Sequence, residues 1–465
     1  MAKKLFLLLV ILGAAGGIWC LYQGECRPVE NDFQRGMDYY NNNNFVQAAP
    51  LFKQAAEENH TDAQYYLAGM YVAGLGIPQD FSLAALWYGK AAEQGLPKAQ
   101  NNLGVLYKNG QGVVSDPEQA IYWFRQAAVQ DNVEAQAHLG EMYLSGVTAE
   151  FVEAKKWNQK AAKVGNAHAQ YNLGWMFEEG KGVIKSVEEA EKWYRQAADQ
   201  GYAKAQTGLG NLYLKGKGVI KNVAQALQWY RKAAEQEEAK AQFHLGQMYH
   251  QGDGVEPNLV VAVQWYRKAA EQGVAEAQDS LANLYVNGEG VEPDFTQAME
   301  WFQKAAEQGY ANAQFHIGAL YEKGQGVSQN AVEAAKWYRK AAEQGMSEAQ
   351  SELGLMFYDG NGLPKLFDEA ALWLGKAAAQ GDAKAQNNLG ALYYDGQGVP
   401  QDFAKAADWY QKAAEQGNID AQFNLAIMYK KGRGISKDLA KARHWFGQAA
   451  EQGDIYAKEE FEALK

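Results

Sequence analysis

Apolar and polar positions along most of this chain repeat in a long, regular pattern. In the stretch 311–345, ANAQFHIGALYEKGQGVSQNAVEAAKWYRKAAEQG, Ala313, Ile317 and Tyr321 stand four apart, the spacing of one helix face. Gly324 follows, a residue that ends a helix in the left-handed conformation at little cost. Asn330 is a good N-cap for a second helix, on which Ala334, Tyr338 and Ala341 share a face before Gly345 closes it. Gly318, beside Ile317, has no side chain and predicts close approach of a neighbouring helix. The N-cap place is taken elsewhere by Asp80, Asp116, Asn222, Asn258, Asp294, Asp402 and Asp438.

The unit recurs. The glutamine of an Ala-Gln pair falls at Gln64, Gln100, Gln136, Gln170, Gln206, Gln242, Gln278, Gln314, Gln350, Gln386 and Gln422, every step being 36 residues except one of 34 after Gln136. A tryptophan ladder from Trp87 to Trp445 runs in phase with it. Neither helix of a unit can bury its apolar face alone, whereas stacked hairpins bury a continuous core. The period therefore predicts an all-α fold, an α-solenoid of stacked helix-turn-helix repeats. On this pattern Trp265→Ala is expected to cost about 3–5 kcal/mol locally if the ring is buried.

The ends differ from the repeats. Residues 1–26 carry Lys3 and Lys4 and then an apolar run of 18 residues, Leu5–Tyr22. This is the pattern of a signal peptide or an N-terminal membrane anchor. Ala15 and Gly17 are small enough for cleavage, and Cys20 could carry a lipid, although Trp19 before it suits that poorly. Positive charge stays on the cytoplasmic side, so each reading puts the rest of the chain outside the cytoplasm: periplasmic, inner-membrane anchored or secreted. Residues 27–60 read as an atypical N-terminal capping helix pair that turns at Asn41–Asn44. Eleven repeats fill 61–453, and 454–465 reads as a C-terminal capping helix.

A net charge of −11, with no long basic run, argues against a nucleic-acid groove. Membrane contact is expected only through the N-terminal segment. Cys20 and Cys26 both precede the repeats, so no disulfide framework staples them.

The pattern A-x-x-L-G-x-x-Y-x-x-G-x-G-V…A-x-x-W-Y-x-K-A-A-x-x-G resembles the Sel-one-like repeat family, a relative of the tetratricopeptide repeats, over about residues 61–453. The resemblance implies a right-handed superhelix and a non-enzymatic scaffold or adaptor that binds protein or peptide partners along its concave face. Many members are exported bacterial proteins. This chain departs from the pattern in three places: around Gly146–Glu150, where the second turn glycine is missing, and at Asp131 and Glu237, which replace the closing glycine. Local changes of curvature are expected there.

No catalytic constellation is visible. The chain has no G-x-S-x-G, no H-E-x-x-H and no S-x-x-K, and its Gly-x-Gly turns lack the third glycine of a dinucleotide site. Some cysteine-rich members of the family are associated with β-lactam hydrolysis, but the cysteine pair in each repeat is absent here. An envelope hydrolase of β-lactam or cell-wall substrates remains the enzymatic alternative. A host-interaction or virulence factor is a further one that needs the same binding surface. No cofactor is expected. His244, His250 and His316 lack metal-ligand spacing, so no metal is expected either.

One position varies suggestively. The residue before the Leu/Ile-Gly pair (Leu-Ala in three repeats) is Tyr66, Asn102, His138, Asn172, His244, His316, Asn388 or Asn424 in eight repeats, and Gly208, Ser280 or Glu352 in the others. In the tetratricopeptide relatives the equivalent position faces the concave surface, where Asn side chains bond a bound peptide's backbone. Asn and His both donate and accept, which suits an extended peptide. The alternative is that these residues bond neighbouring helices or face solvent. The basic residues near Arg231, Arg267 and Arg339 read as an outer face salt-bridged to Glu four residues on, as Arg231 to Glu235.

Overall fold

The computed structural model describes residues 29–145, 150–216 and 218–464, so the expected signal or anchor segment, 1–26, lies outside the described residues. These residues form twenty-five helices and no strand, paired as predicted: Ala311–Lys323 and Ala331–Glu343 are the two helices of the repeat quoted above. The N-terminal pair is Val29–Asn41 and Phe45–Glu57, and the last helix is Ile455–Ala463. By its contacts the chain divides into two compact units, Met1–Trp229 and Tyr230–Lys465. Within each unit helix pairs pack in chain order, and the core is a string of clusters, one beside the next.

The caps explain the element boundaries. The carboxylate of Asp294 accepts from the backbone N–H groups of Thr296 and Gln297, and Asn330 accepts from Glu333. All eight predicted N-caps make such bonds. Gly324 sits at φ +67°, and Gly326 at φ +73° brings its backbone so near Phe295 that an added Cβ would lie 2.6 Å from that side chain. The turn therefore needs its second glycine for contact with the preceding repeat. In the shorter repeat, residues 146–149 of the Gly146–Glu150 turn lie outside the described residues; beside them the Glu150 N–H donates to the Tyr143 carbonyl, as the Asp116 N–H does to Tyr107. Asp131 and Glu237 keep the left-handed backbone of the glycines they replace, at φ 60° and 62°.

Packing inside a hairpin centres on the residue after each tryptophan. Tyr194, Tyr230, Tyr338, Phe124, Phe302 and Phe446 are fully buried there. A Cβ on Gly318 would come within 2.7 Å of the Tyr338 ring, so the glycine makes room for the aromatic. Trp265 itself is only half-buried, with Lys268 Nζ 4.5 Å from its ring centre. The 3–5 kcal/mol expected of Trp265 thus belongs to Tyr266 beside it, which is buried. The tryptophan is a lid shared with a lysine.

The register glutamines are structural. In all eleven repeats the side-chain Nε2 donates to the carbonyl eight residues earlier, at the end of the preceding repeat's second helix, at 3.0–3.4 Å. Their Oε1 atoms accept from the glutamine thirty residues on, at 2.7–2.9 Å in nine repeats. Each buried amide thus ties its own hairpin to the previous one. The outer face differs from expectation. Arg231 donates to the Tyr249 hydroxyl at 3.0 Å and Arg267 to Tyr285 at 2.7 Å, each reaching the next repeat rather than a glutamate on its own helix.

Candidate functional site

The first helices carry the variable residues, and the structure shows what each touches. Four of the eight ladder positions stack on the aromatic fourteen residues earlier: Tyr66 on Phe52, His138 on Phe124, His244 on Tyr230 and His316 on Phe302, with ring centres 4.9–5.5 Å apart. The same pairing joins Asn172 to Asn158, whose Oδ1 accepts from the Asn172 amide at 3.0 Å. Asn172 is buried, so it departs from the expected ligand ladder: its amide is spent inside the repeat stack. The other seven are half-buried or, like Asn102, bonded sideways to a neighbour, here Asn101. His244 Nδ1 lies 3.0 Å from Gln247 Oε1, and His316 Nε2 lies 3.9 Å from Asp279.

Side chains bridge successive first helices along this face. Lys384 Nζ meets Glu352 at 3.0 Å, the Asn424 amide donates to Asn387 at 3.2 Å, and Lys108 Nζ meets Glu141 at 2.6 Å. In the second unit the bridged helices border a groove of about 370 Å³ lined by Glu322, Glu352, Asp359, Asp420, Lys384 and Asn388, among others. Four carboxylates stand there against a single ammonium, that of Lys384. Asn388 is the predicted ladder residue that lines this groove, and its amide donates to the Lys384 carbonyl. Asn424 holds Asn387, which also lines it. The other predicted residues lie elsewhere along the stack.

Two titratable clusters on the same face were not singled out from the sequence. Asp279 is 7% exposed, and burial pushes its carboxyl up to about 7. In the first unit Glu141 is held down at about 2 by His138 first, and also by Lys108 and His168, against the opposing effect of burial. Burial lowers the pKa of His168. His168 stands where most repeats have Lys, Glu, Asn or Asp, as Lys384 and Asn312 do. That substitution was the one available signal, and it shows no local spacing to Glu141, which lies one repeat earlier.

These features and the repeat itself define a protein class. The Sel1 repeat model matches at 12–41 and then at eleven consecutive segments from 61–96 to 419–454, so the chain belongs to the Sel1 repeat family, whose scaffold it shares. Among solved structures it is similar to c5321, a protective antigen present in uropathogenic Escherichia coli strains. That similarity is 37% identity over 90% of each chain, with a TM-score of 0.67. A Sel1 repeat protein from Oxalobacter formigenes is 34% identical over 67% of this chain and 90% of its own, with a TM-score of 0.51. No functionally curated protein matches the chain significantly. Repeat solenoids of this kind generally serve protein interactions.

Proposed function

We propose that this protein is a non-enzymatic scaffold that binds an extended, cationic protein segment along its first helices. The groove at Glu352, Asp359, Asp420 and Asn388 carries the reading, since its carboxylates exceed its ammonium groups and an amide side chain lines it. Carboxylates facing a shared groove attract Lys and Arg side chains, and an Asn beside them can bond a peptide's backbone. The test is binding of a lysine-rich and a glutamate-rich peptide of equal length, read by fluorescence anisotropy. The lysine-rich peptide is expected to bind, and a Glu352→Gln, Asp359→Asn, Asp420→Asn chain to bind it at least about tenfold more weakly. Equal affinity of both chains for it would refute the groove.

The protein acts outside the cytoplasm in this proposal. Lys3 and Lys4 ahead of the apolar run Leu5–Tyr22 support an export signal or anchor. Recovery of the intact chain in the cytosolic fraction of its own cells would reverse it.

A further inference from the structure

We propose that His138, Glu141 and His168 form a binding site for a divalent transition-metal ion, with Zn²⁺ the best chemical match, that clasps two successive repeats. The three side chains come from the first helices of consecutive hairpins, Val133–Ser145 and Ala167–Glu179. One donor atom from each lies within 4.8 Å of the other two. His138 Nδ1 is 3.9 Å and His168 Nε2 3.8 Å from Glu141 Oε2. Donors bound tetrahedrally to zinc at ordinary bond lengths stand about 3.3 Å apart, so each atom has to move inward by about 1 Å or less.

One further observation points to a cation. His138 Nδ1 is buried and has no hydrogen-bond partner, although it faces the carboxylate. Lys108 Nζ sits 2.6 Å from the same Glu141 oxygen, so the metal has to displace this ammonium from it. Both imidazoles are held in place by stacking, His138 on Phe124 at 5.0 Å and His168 on Tyr202 at 6.0 Å, which reduces the ordering cost of binding. Two imidazoles and one carboxylate are the donor set of a zinc site with one position left for water. The placement adds a structural reason. The repeat that follows Gln136 is two residues shorter than the others (34 against 36), and it carries Val164 where the others have the glutamine that bonds the register amide. That glutamine bond lies within a hairpin, and the ties of Gln136 to Ala128 and of Gln170 to Ala162 are kept, so a metal ion would reinforce a hairpin that has lost one internal bond.

The experiment uses the purified full chain stripped with chelator, titrated with Zn²⁺ alone by calorimetry, and with Co²⁺ to read coordination from its visible spectrum. One zinc per chain is expected at this site, with a higher melting temperature in its presence. Glu141→Gln, nearly isosteric, and His168→Ala should each weaken binding at least about tenfold and abolish the thermal shift. Lys108→Met, which leaves all three donors, should keep or strengthen binding, and His250→Ala should leave it unchanged. Zinc affinity equal in the wild-type, Glu141→Gln and His168→Ala chains would overturn the proposal, as would loss of binding in Lys108→Met. Circular dichroism of each variant separates a lost site from a lost fold.

Discussion

Single side chains in this protein do two kinds of work. The fully buried ones, such as Tyr338 against Gly318, hold a hairpin together, and the half-buried ones of the first helices bridge to the next repeat. Asp279 belongs to both sets: it is buried, its Oδ2 accepts from the Asn283 amide at 3.2 Å, and its Oδ1 has no hydrogen-bond partner. Its carboxyl has a folded value of about 7 against an ordinary value of 3.8. An acid whose pKa is raised by folding binds its proton more tightly in the native state. Its contribution to stability is therefore undiminished below the ordinary value and falls as pH rises towards 7. Asp279→Asn is expected to be near neutral at pH 4 and to raise the unfolding free energy by about 2–4 kcal/mol at pH 8. Urea unfolding of the two chains at both pH values checks this, and an equal difference at pH 4 and 8 would remove the charge-burial explanation. Residue types were readable from the chain, but that Asp279 is buried beside His316 was not, because the two are 37 positions apart in adjacent repeats.

Helices and turns were the most readable level. Period, caps and closing glycines all agreed with one another, and local agreement of that kind predicts local structure well. The exceptions are instructive. Asp131 and Glu237 were expected to alter curvature, yet each takes the positive φ of the glycine it replaces. The neighbouring hairpins dictate the turn, and the residue absorbs the strain. Glu237 is exposed, so Glu237→Gly should remove that strain and stabilise the chain by about 0.5–1 kcal/mol, less the extra entropy glycine brings to the unfolded state. The midpoint of chemical denaturation is the measurement, and a lower midpoint would show that the left-handed turn is not strained.

Within each unit, contacts run between neighbours in the series, and so stability should be additive by repeat. Excising residues 275–310, one full 36-residue period inside the second unit, brings Gln314 next to the carbonyl of Ala270, the equivalent of Ala306. The shortened chain is expected to fold with undiminished helicity per residue. Excising 275–292, half a period, should place two unlike helices in contact and yield an aggregating product. Circular dichroism and size-exclusion chromatography distinguish the two, and similar behaviour of both deletions would count against register as the organising constraint.

The amino-acid sequence by itself determined the helical hairpin, its period and its membership of a repeat family, because each depends on residues close together in the chain and its register residues recur eleven times. It also marked the glutamines and tryptophans as register points. Only the tertiary structure decided what those marks do: the glutamines are buried ties between hairpins, while the tryptophans lie nearer the surface than the residues that follow them. It also decided which variable residues are available. Asn172 is committed to Asn158, Asn388 lines an acidic groove, and His138 meets Glu141 and His168. The physical reason is the stacking itself. It brings together side chains about one period apart, and a one-dimensional pattern shows which positions repeat without showing which neighbour each faces.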